Sequence, residues 1–141
     1  MLDLDQLKKD IEAEEGRKEY VYKDHLGYYT IGVGHLVDKS QGGGLPNKVI
    51  DALLDHDIDV FLKELDARAP SWREHPEPVC RALANMAFQL GVPRLMDFKK
   101  MWAALDRNDY AEAAWQAMDS RWAKQTPARA NRMADMIRSG A

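Results

Sequence analysis

Three residues in the first third of the chain, Glu15, Asp24 and Thr30, are of types that can do chemistry together. Hydrolysis of a glycosidic bond needs two carboxyl groups. One is protonated and gives its proton to the leaving oxygen; the other is ionised and activates a water or attacks the sugar. The two must sit in different surroundings so that their pKa values separate. Glu15 stands where a helix would end, and a helix C-terminus disfavours a carboxylate and helps keep it protonated. Asp24 stands in a turn. Two acids and a threonine do not by themselves select this chemistry, because a chain with 23 acidic residues brings acids near turns often.

The elements that must position these residues can be read from periodicity. Leu4, Leu7 and Ile11 have helical spacing, and Gly16 marks the end of that helix. The runs 20–23 and 28–31 are aromatic and β-branched, and Asp24-His25-Leu26-Gly27 separates them, which predicts a β-hairpin. Leu36-Val37 predicts a third short strand, and Ser40 to Pro46 a glycine-rich loop.

From Asn47 onward the pattern is helical. Val49, Ile50, Leu53, Leu54, Ile58, Phe61, Leu62 and Leu65 predict one long helix or two end to end. A connection with three prolines follows (residues 69–78). Residues 79–90 are alanine-rich and apolar nearly all round, which predicts a central buried helix ended by Gly91-Val92-Pro93. Shorter helices are expected over 98–105 and 109–118, and a last one from Pro127, with Thr126 as its cap, to Ile137. The fold class is therefore α+β: a small antiparallel β-sheet lobe and a larger, mostly helical lobe. Clefts form where such lobes meet. One domain is expected over 1–141. Residues of about 12–60 would form the N-terminal lobe; those of about 61–141, with the N-terminal helix, would form the helical lobe.

Composition narrows the class further. The chain has 141 residues, 45% of them hydrophobic and 30% charged, as in an ordinary globular domain. Cys80 is the single cysteine, so neither an intramolecular disulfide nor a cysteine-rich metal site is available. The N-terminus alternates charge with leucine and lacks the pattern of a signal peptide. No stretch approaches the roughly 20 apolar residues of a membrane span. A net charge of −3 argues against a dedicated nucleic-acid binder. Five cations after position 120 (Arg121, Lys124, Arg129, Arg132, Arg138) face only Asp135, a pattern that also fits a solvated helix face.

Larger blocks carry a resemblance. Glu15-Gly16, Tyr22-Lys23-Asp24 and the run from Gly27 through Thr30-Ile31-Gly32 to His35-Leu36 resemble the signature of phage lysozymes of the T-even type, glycoside hydrolase family 24. The spacing of Glu15, Asp24 and Thr30 matches the family's catalytic Glu, Asp and Thr without a gap. Asn85 to Gly91 resembles the family's central helix. Ser120-Arg121-Trp122 with Gln125-Thr126-Pro127 and Arg129-Ala130 resembles its C-terminal motif.

The resemblance implies a lysozyme-like fold and an N-acetylmuramidase that cuts between N-acetylmuramic acid and N-acetylglucosamine. Glu15 would be the general acid, while Asp24 and Thr30 would hold a water on the opposite face, giving inversion. Arg129 resembles an arginine that pairs with the catalytic glutamate. Such a cation lowers the pKa of Glu15, so burial and the helix end must offset it, or the pair must loosen on substrate. His35 resembles a histidine paired with an aspartate, here Asp57. Leu36, Phe88, Gln116 and Arg121 match cleft-lining positions, although Leu36 and Phe88 alone would read as core. Gln116 stands where the family often has Asn, Met101 where a small polar residue is common, and Leu26 where the hairpin often carries an acid. The four tryptophans could stack on sugars, but their helical spacing favours core packing for most of them.

The implied role is an endolysin needing no cofactor or metal, acting on peptidoglycan as a monomer. It would wait in the host cytoplasm until a separate holin opens the membrane, then reach the wall in the periplasm. A lytic transglycosylase, which closes an anhydro ring, and a non-catalytic peptidoglycan-binding module are the alternatives.

Overall fold

The computed structural model describes residues 3–23, 26, 29–32, 35–36 and 44–141. For Glu15, residues 18–22, Tyr29 and His35 it describes the backbone alone. The chain divides into two compact units, Met1–Leu53 and Leu54–Ala141.

The first unit opens with helix α1, Leu4–Glu15. The Asp3 carboxylate caps it by accepting from the Gln6 backbone N–H at 3.0 Å. Gly16 ends it at φ 74°, a conformation that favours glycine, and its N–H returns to the Glu12 carbonyl at 2.8 Å. Strands β1 (Lys18–Lys23), β2 (Tyr29–Gly32) and β3 (His35–Leu36) follow and pair antiparallel in the order β1-β2-β3. Lys23 pairs with Tyr29 and Tyr22 with Thr30, whereas Lys18 pairs with Gly32, so the register shifts along the hairpin. Helix α2, Asn47–Arg68, is one continuous helix that runs from the first unit into the second.

The second unit is helical throughout. A 3-10 turn at Trp72–Glu74 is followed by α3 (Glu77–Leu90), α4 (Val92–Met96), α5 (Lys99–Asp106), α6 (Tyr110–Met118), α7 (Arg121–Gln125) and α8 (Pro127–Arg138). Its core is one cluster. Helix α3 contributes Val79, Ala82, Leu83, Met86 and Ala87, which share one face by their spacing of three and four residues. Helix α6 adds Ala113, Ala114 and Ala117, and α8 adds Ala130, Met133, Ala134 and Ile137. Alanines where α6 and α8 meet allow close axes, since interaxial distance follows the side chains at the contact. No helix among the described residues is long and apolar enough to cross a membrane.

Several expectations are refined. Helix α3 starts two residues earlier than its apolar run, because Pro78 fits the first turn of a helix. It is also not buried all round: Glu77, Arg81 and Phe88 are exposed, and Arg81 pairs with Glu77 at 2.9 Å across one turn. The 3-10 turn, α4 and α7 were not expected, since three to five residues are too few for a periodicity. Thr126 does not cap α8 through its side chain; its hydroxyl donates to the Trp122 carbonyl at 3.0 Å, and Pro127 opens the helix. Three tryptophans are buried or half-buried as core packing requires, but Trp115 is exposed.

Candidate functional site

In the first unit, the C-terminus of α1 puts Glu15 immediately before the Gly16 turn, with no basic residue in the helix's last turn. A helix C-terminus disfavours an ionised carboxyl; just beyond the cap, Arg17 pairs with Glu12 of the last turn at 2.8 Å. The contacts of the Glu15 side chain lie outside the described residues. So does Asp24, the next residue in sequence after Lys23, where β1 ends. Leu26, in the hairpin connection, is exposed.

Thr30 is placed most firmly. It lies on the central strand of the sheet, paired with Tyr22 on one side and Leu36 on the other, and is only 4% exposed. Residues directly opposite in an antiparallel ladder project from the same face. The register therefore brings Thr30 and Leu36 together, and Leu36 keeps 40% of its surface exposed. Strand β2 ends at Gly32, whose φ of 68° favours glycine. The His35 side chain lies outside the described residues, and Asp57 is exposed on α2; the expected pairing of the two is therefore undescribed.

The second unit carries two concavities. One, of about 320 Å³, runs between α2, α3 and the start of α8 and is lined by Leu54, Ile58, Phe61, Asn85, Phe88 and Arg129. Phe88 is half-exposed and meets Phe61 edge to face, with ring centroids 5.7 Å apart at 71°. Arg129 is held by Asn85: its Nε and Nη2 donate to Asn85 Oδ1 at 2.9 and 2.6 Å. The guanidinium is thus fixed in orientation on an apolar wall. Its expected pairing with Glu15 involves a side chain outside the described residues. Asn85 and Phe61 went unassigned in the sequence. Their signals were an asparagine one turn from Phe88 on an alanine-rich helix, and an aromatic in the α2 stripe.

The other pocket, of about 470 Å³, opens between α4, α5, α6 and α7. Gln116 and Arg121 both line it, together with Arg94, Lys99 and Lys100. Met101, almost wholly buried, supplies part of its apolar wall. Gln116 Nε2 donates to Glu112 Oε1 at 2.8 Å, which fixes its amide. Ser120 Oγ accepts from the Ala123 N–H at 3.1 Å and so caps α7, whose first residue is Arg121. Each cleft candidate has its place within its own unit. Leu36 lies on the sheet, Phe88 beside the Arg129 groove, and Gln116 and Arg121 share the cationic pocket.

A model of the family described as phage lysozyme matches residues 12–137 of this sequence. The chain belongs to the phage lysozyme family. The matched span takes in Glu15, Asp24 and Thr30 as well as the groove and pocket residues of the second unit. Two proteins of Dictyostelium discoideum, probable T4-type lysozymes 2 and 1, are 29% and 28% identical to it over 160 residues. Each alignment covers 95% of this chain and 94% of the relative. The pre-baseplate central spike protein Gp5 of Enterobacteria phage T4 is 29% identical over 155 residues, covering 92% of this chain but 27% of the spike protein. The chain thus matches nearly the whole length of two relatives and about a quarter of a third.

Proposed function

We propose that this phage lysozyme family member is an endolysin. It would hydrolyse the β-1,4 bond between N-acetylmuramic acid and N-acetylglucosamine in peptidoglycan, with inversion. The observation that carries the reading is the family match over residues 12–137, a span that includes Glu15, Asp24 and Thr30. Glu15 is the general acid, favoured in its protonated form by the end of α1. Asp24 activates a water on the far face of the sugar, and Thr30, held rigid on the central strand, orients that water. Arg129 faces Glu15 in the closed site, kept by Asn85 from pairing so tightly that the acid loses its proton. The His35–Asp57 pair ties the hairpin to α2. In this reading the sheet and the helical unit form two lobes, and the glycan strand lies in the cleft between them. Leu36, Phe88, Gln116 and Arg121 line its path.

Two measurements test this together. Purified protein should clear permeabilised Gram-negative cells, and its products should carry reducing ends. Anhydro-muramic ends would replace hydrolysis with transglycosylation, and binding without clearing would leave a peptidoglycan-binding module. Glu15→Gln should lower the clearing rate by at least about 100-fold, the usual worth of a general acid, and Asp24→Asn should lower it strongly as well. Near-full clearing by Glu15→Gln would overturn the site assignment.

The biological setting proposed is that of a monomer held in the host cytoplasm until a holin opens the membrane. A second setting is favoured by one observation, the match to 27% of a phage spike protein. In it the chain does the same chemistry as one part of a phage spike. Lysis by the protein expressed together with a holin, and not without one, selects the first.

A further inference from the structure

Trp115 differs from the other three tryptophans. The indole N–H groups of Trp72, Trp102 and Trp122 are anchored in the fold, on Asp66 Oδ1 at 2.7 Å, the Leu95 carbonyl at 2.9 Å and Gln89 Oε1 at 2.8 Å. The Trp115 indole makes no hydrogen bond or ring contact among the described residues, and 58% of the residue's surface is exposed. Exposure of so large an apolar side chain wastes the burial that the other three obtain.

Its position is informative. On α6 it precedes Gln116 directly and stands one turn before Asp119, and both of these residues line the 470 Å³ pocket. Residues four apart on a helix lie on one face, and the Asp119 N–H closes onto the Trp115 carbonyl at 3.0 Å, so Trp115 stands next to residues of the pocket wall without itself lining the pocket. That pocket is polar. Arg94, Lys99, Lys100 and Arg121 bring four positive charges to the pocket against Asp97 and Asp119. No other large apolar residue on α6 is exposed, so Trp115 is a single aromatic face in hydrophilic surroundings, not part of an apolar patch suited to a protein partner. A ligand matching that combination has a flat face of polarised C–H groups and hydroxyls around its edge. The electron-rich face of the indole attracts the C–H face, while the polar pocket takes the edge. A pyranose ring has this shape.

We propose that Trp115 is a specificity-determining platform for a sugar ring of the glycan strand, extending the path of the strand along α6 past Gln116. The proposal rests on the reading that the protein acts on peptidoglycan. Stacking adds binding to long strands without touching the bond that is cut, so it acts on affinity and KM and leaves the turnover of short fragments unchanged.

The test uses full-length Glu15→Gln protein, which holds strands without digesting them. Calorimetry with purified glycan strands stripped of peptide compares it with Glu15→Gln carrying Trp115→Ala or Trp115→Phe. Trp115→Ala should weaken binding about tenfold, and Trp115→Phe should restore most of the loss. Equal affinity in all three proteins would overturn the proposal, as would a loss that Trp115→Phe fails to restore. A loss seen only on wall that retains its peptides would overturn it too, by making the peptide the occupant. Clearing by the wild-type protein is measured alongside: clearing with no effect of Trp115 refutes the platform alone, whereas neither clearing nor glycan binding refutes the underlying function.

Discussion

The contact between Asn85 and Arg129 joins α3 to α8 and fixes a cation on the wall of a groove, so its strength can be measured apart from catalysis. Removing it with Asn85→Ala takes both acceptor contacts at Oδ1, at 2.9 and 2.6 Å, from the guanidinium. A hydrogen bond to a charged group contributes about 1.5–3 kcal/mol when buried. Both residues are only half-buried, so water takes over part of the role and the expected cost falls to about 1–2 kcal/mol. For a chain of this size that corresponds to roughly 3–8 °C in Tm. Single variants mix this loss with changes in packing, so the full cycle of Asn85→Ala, Arg129→Ala and the double variant is needed. All four tryptophans lie in the second unit, and their fluorescence in a urea titration follows the unit that holds the pair. The coupling energy should be about 1 kcal/mol or more, with the slope against urea unchanged. A coupling below about 0.5 kcal/mol would refute the reasoning, because Arg129 would then be as well served by solvent as by Asn85.

Three further outcomes follow from the second unit. Burial pushes the pKa of His75 down, against the opposing pull of Asp106 and Glu74, and its Nδ1 lies 3.0 Å from the Tyr110 hydroxyl. The unfolded chain therefore binds the proton more readily, so this contribution is complete above about pH 6.5 and is lost as pH falls toward the lower folded pKa. Differential scanning calorimetry at pH 7.5 and 5 should show a fall in Tm that His75→Gln reduces; an undiminished fall would sink the assignment. Hydrogen bonds from Arg73 and then Trp72 hold the Asp66 carboxyl below its usual range, which stabilises the fold above about pH 4 and fails as pH drops through the lowered value. Asp66→Asn should therefore lower stability at pH 7 and flatten the acid limb of the curve, as followed by circular dichroism. Met86, wholly buried in the central cluster, should cost about 2–5 kcal/mol on Met86→Ala in denaturant titration, and a loss under 1 kcal/mol would mean that the α3 face is loosely packed.

Much of the organisation was legible from local signals. Gly16 ended α1 where expected because a positive-φ cap favours glycine, and the aromatic and β-branched runs 20–23 and 28–31 yielded the hairpin because such side chains suit a pleated strand. The order of helices after Asn47 followed from a 3.6-residue period. Short elements escaped, since the 3-10 turn, α4 and α7 are held by caps, prolines and neighbours and have no period of their own. Helix α3 reads as apolar all round, yet Phe88 stays half-exposed in the groove it shares with Phe61 and Arg129.

For the site, the sequence by itself determined which residues are candidates: the order and spacing of Glu15, Asp24 and Thr30 are properties of the chain, and so is the family match that spans them. Only tertiary structure decided which side chains share a surface. Thr30 meets Leu36 because two strands adopt a particular register, and Arg129 meets Asn85 across 44 positions because α3 and α8 pack together. Gln116 and Arg121 converge on one cationic pocket for the same kind of reason, and Trp115 is exposed because packing covered the other three tryptophans and left this one out. Periodicity reports which side of an element is apolar; it carries no information about which distant element will cover that side, and long-range packing settles that choice.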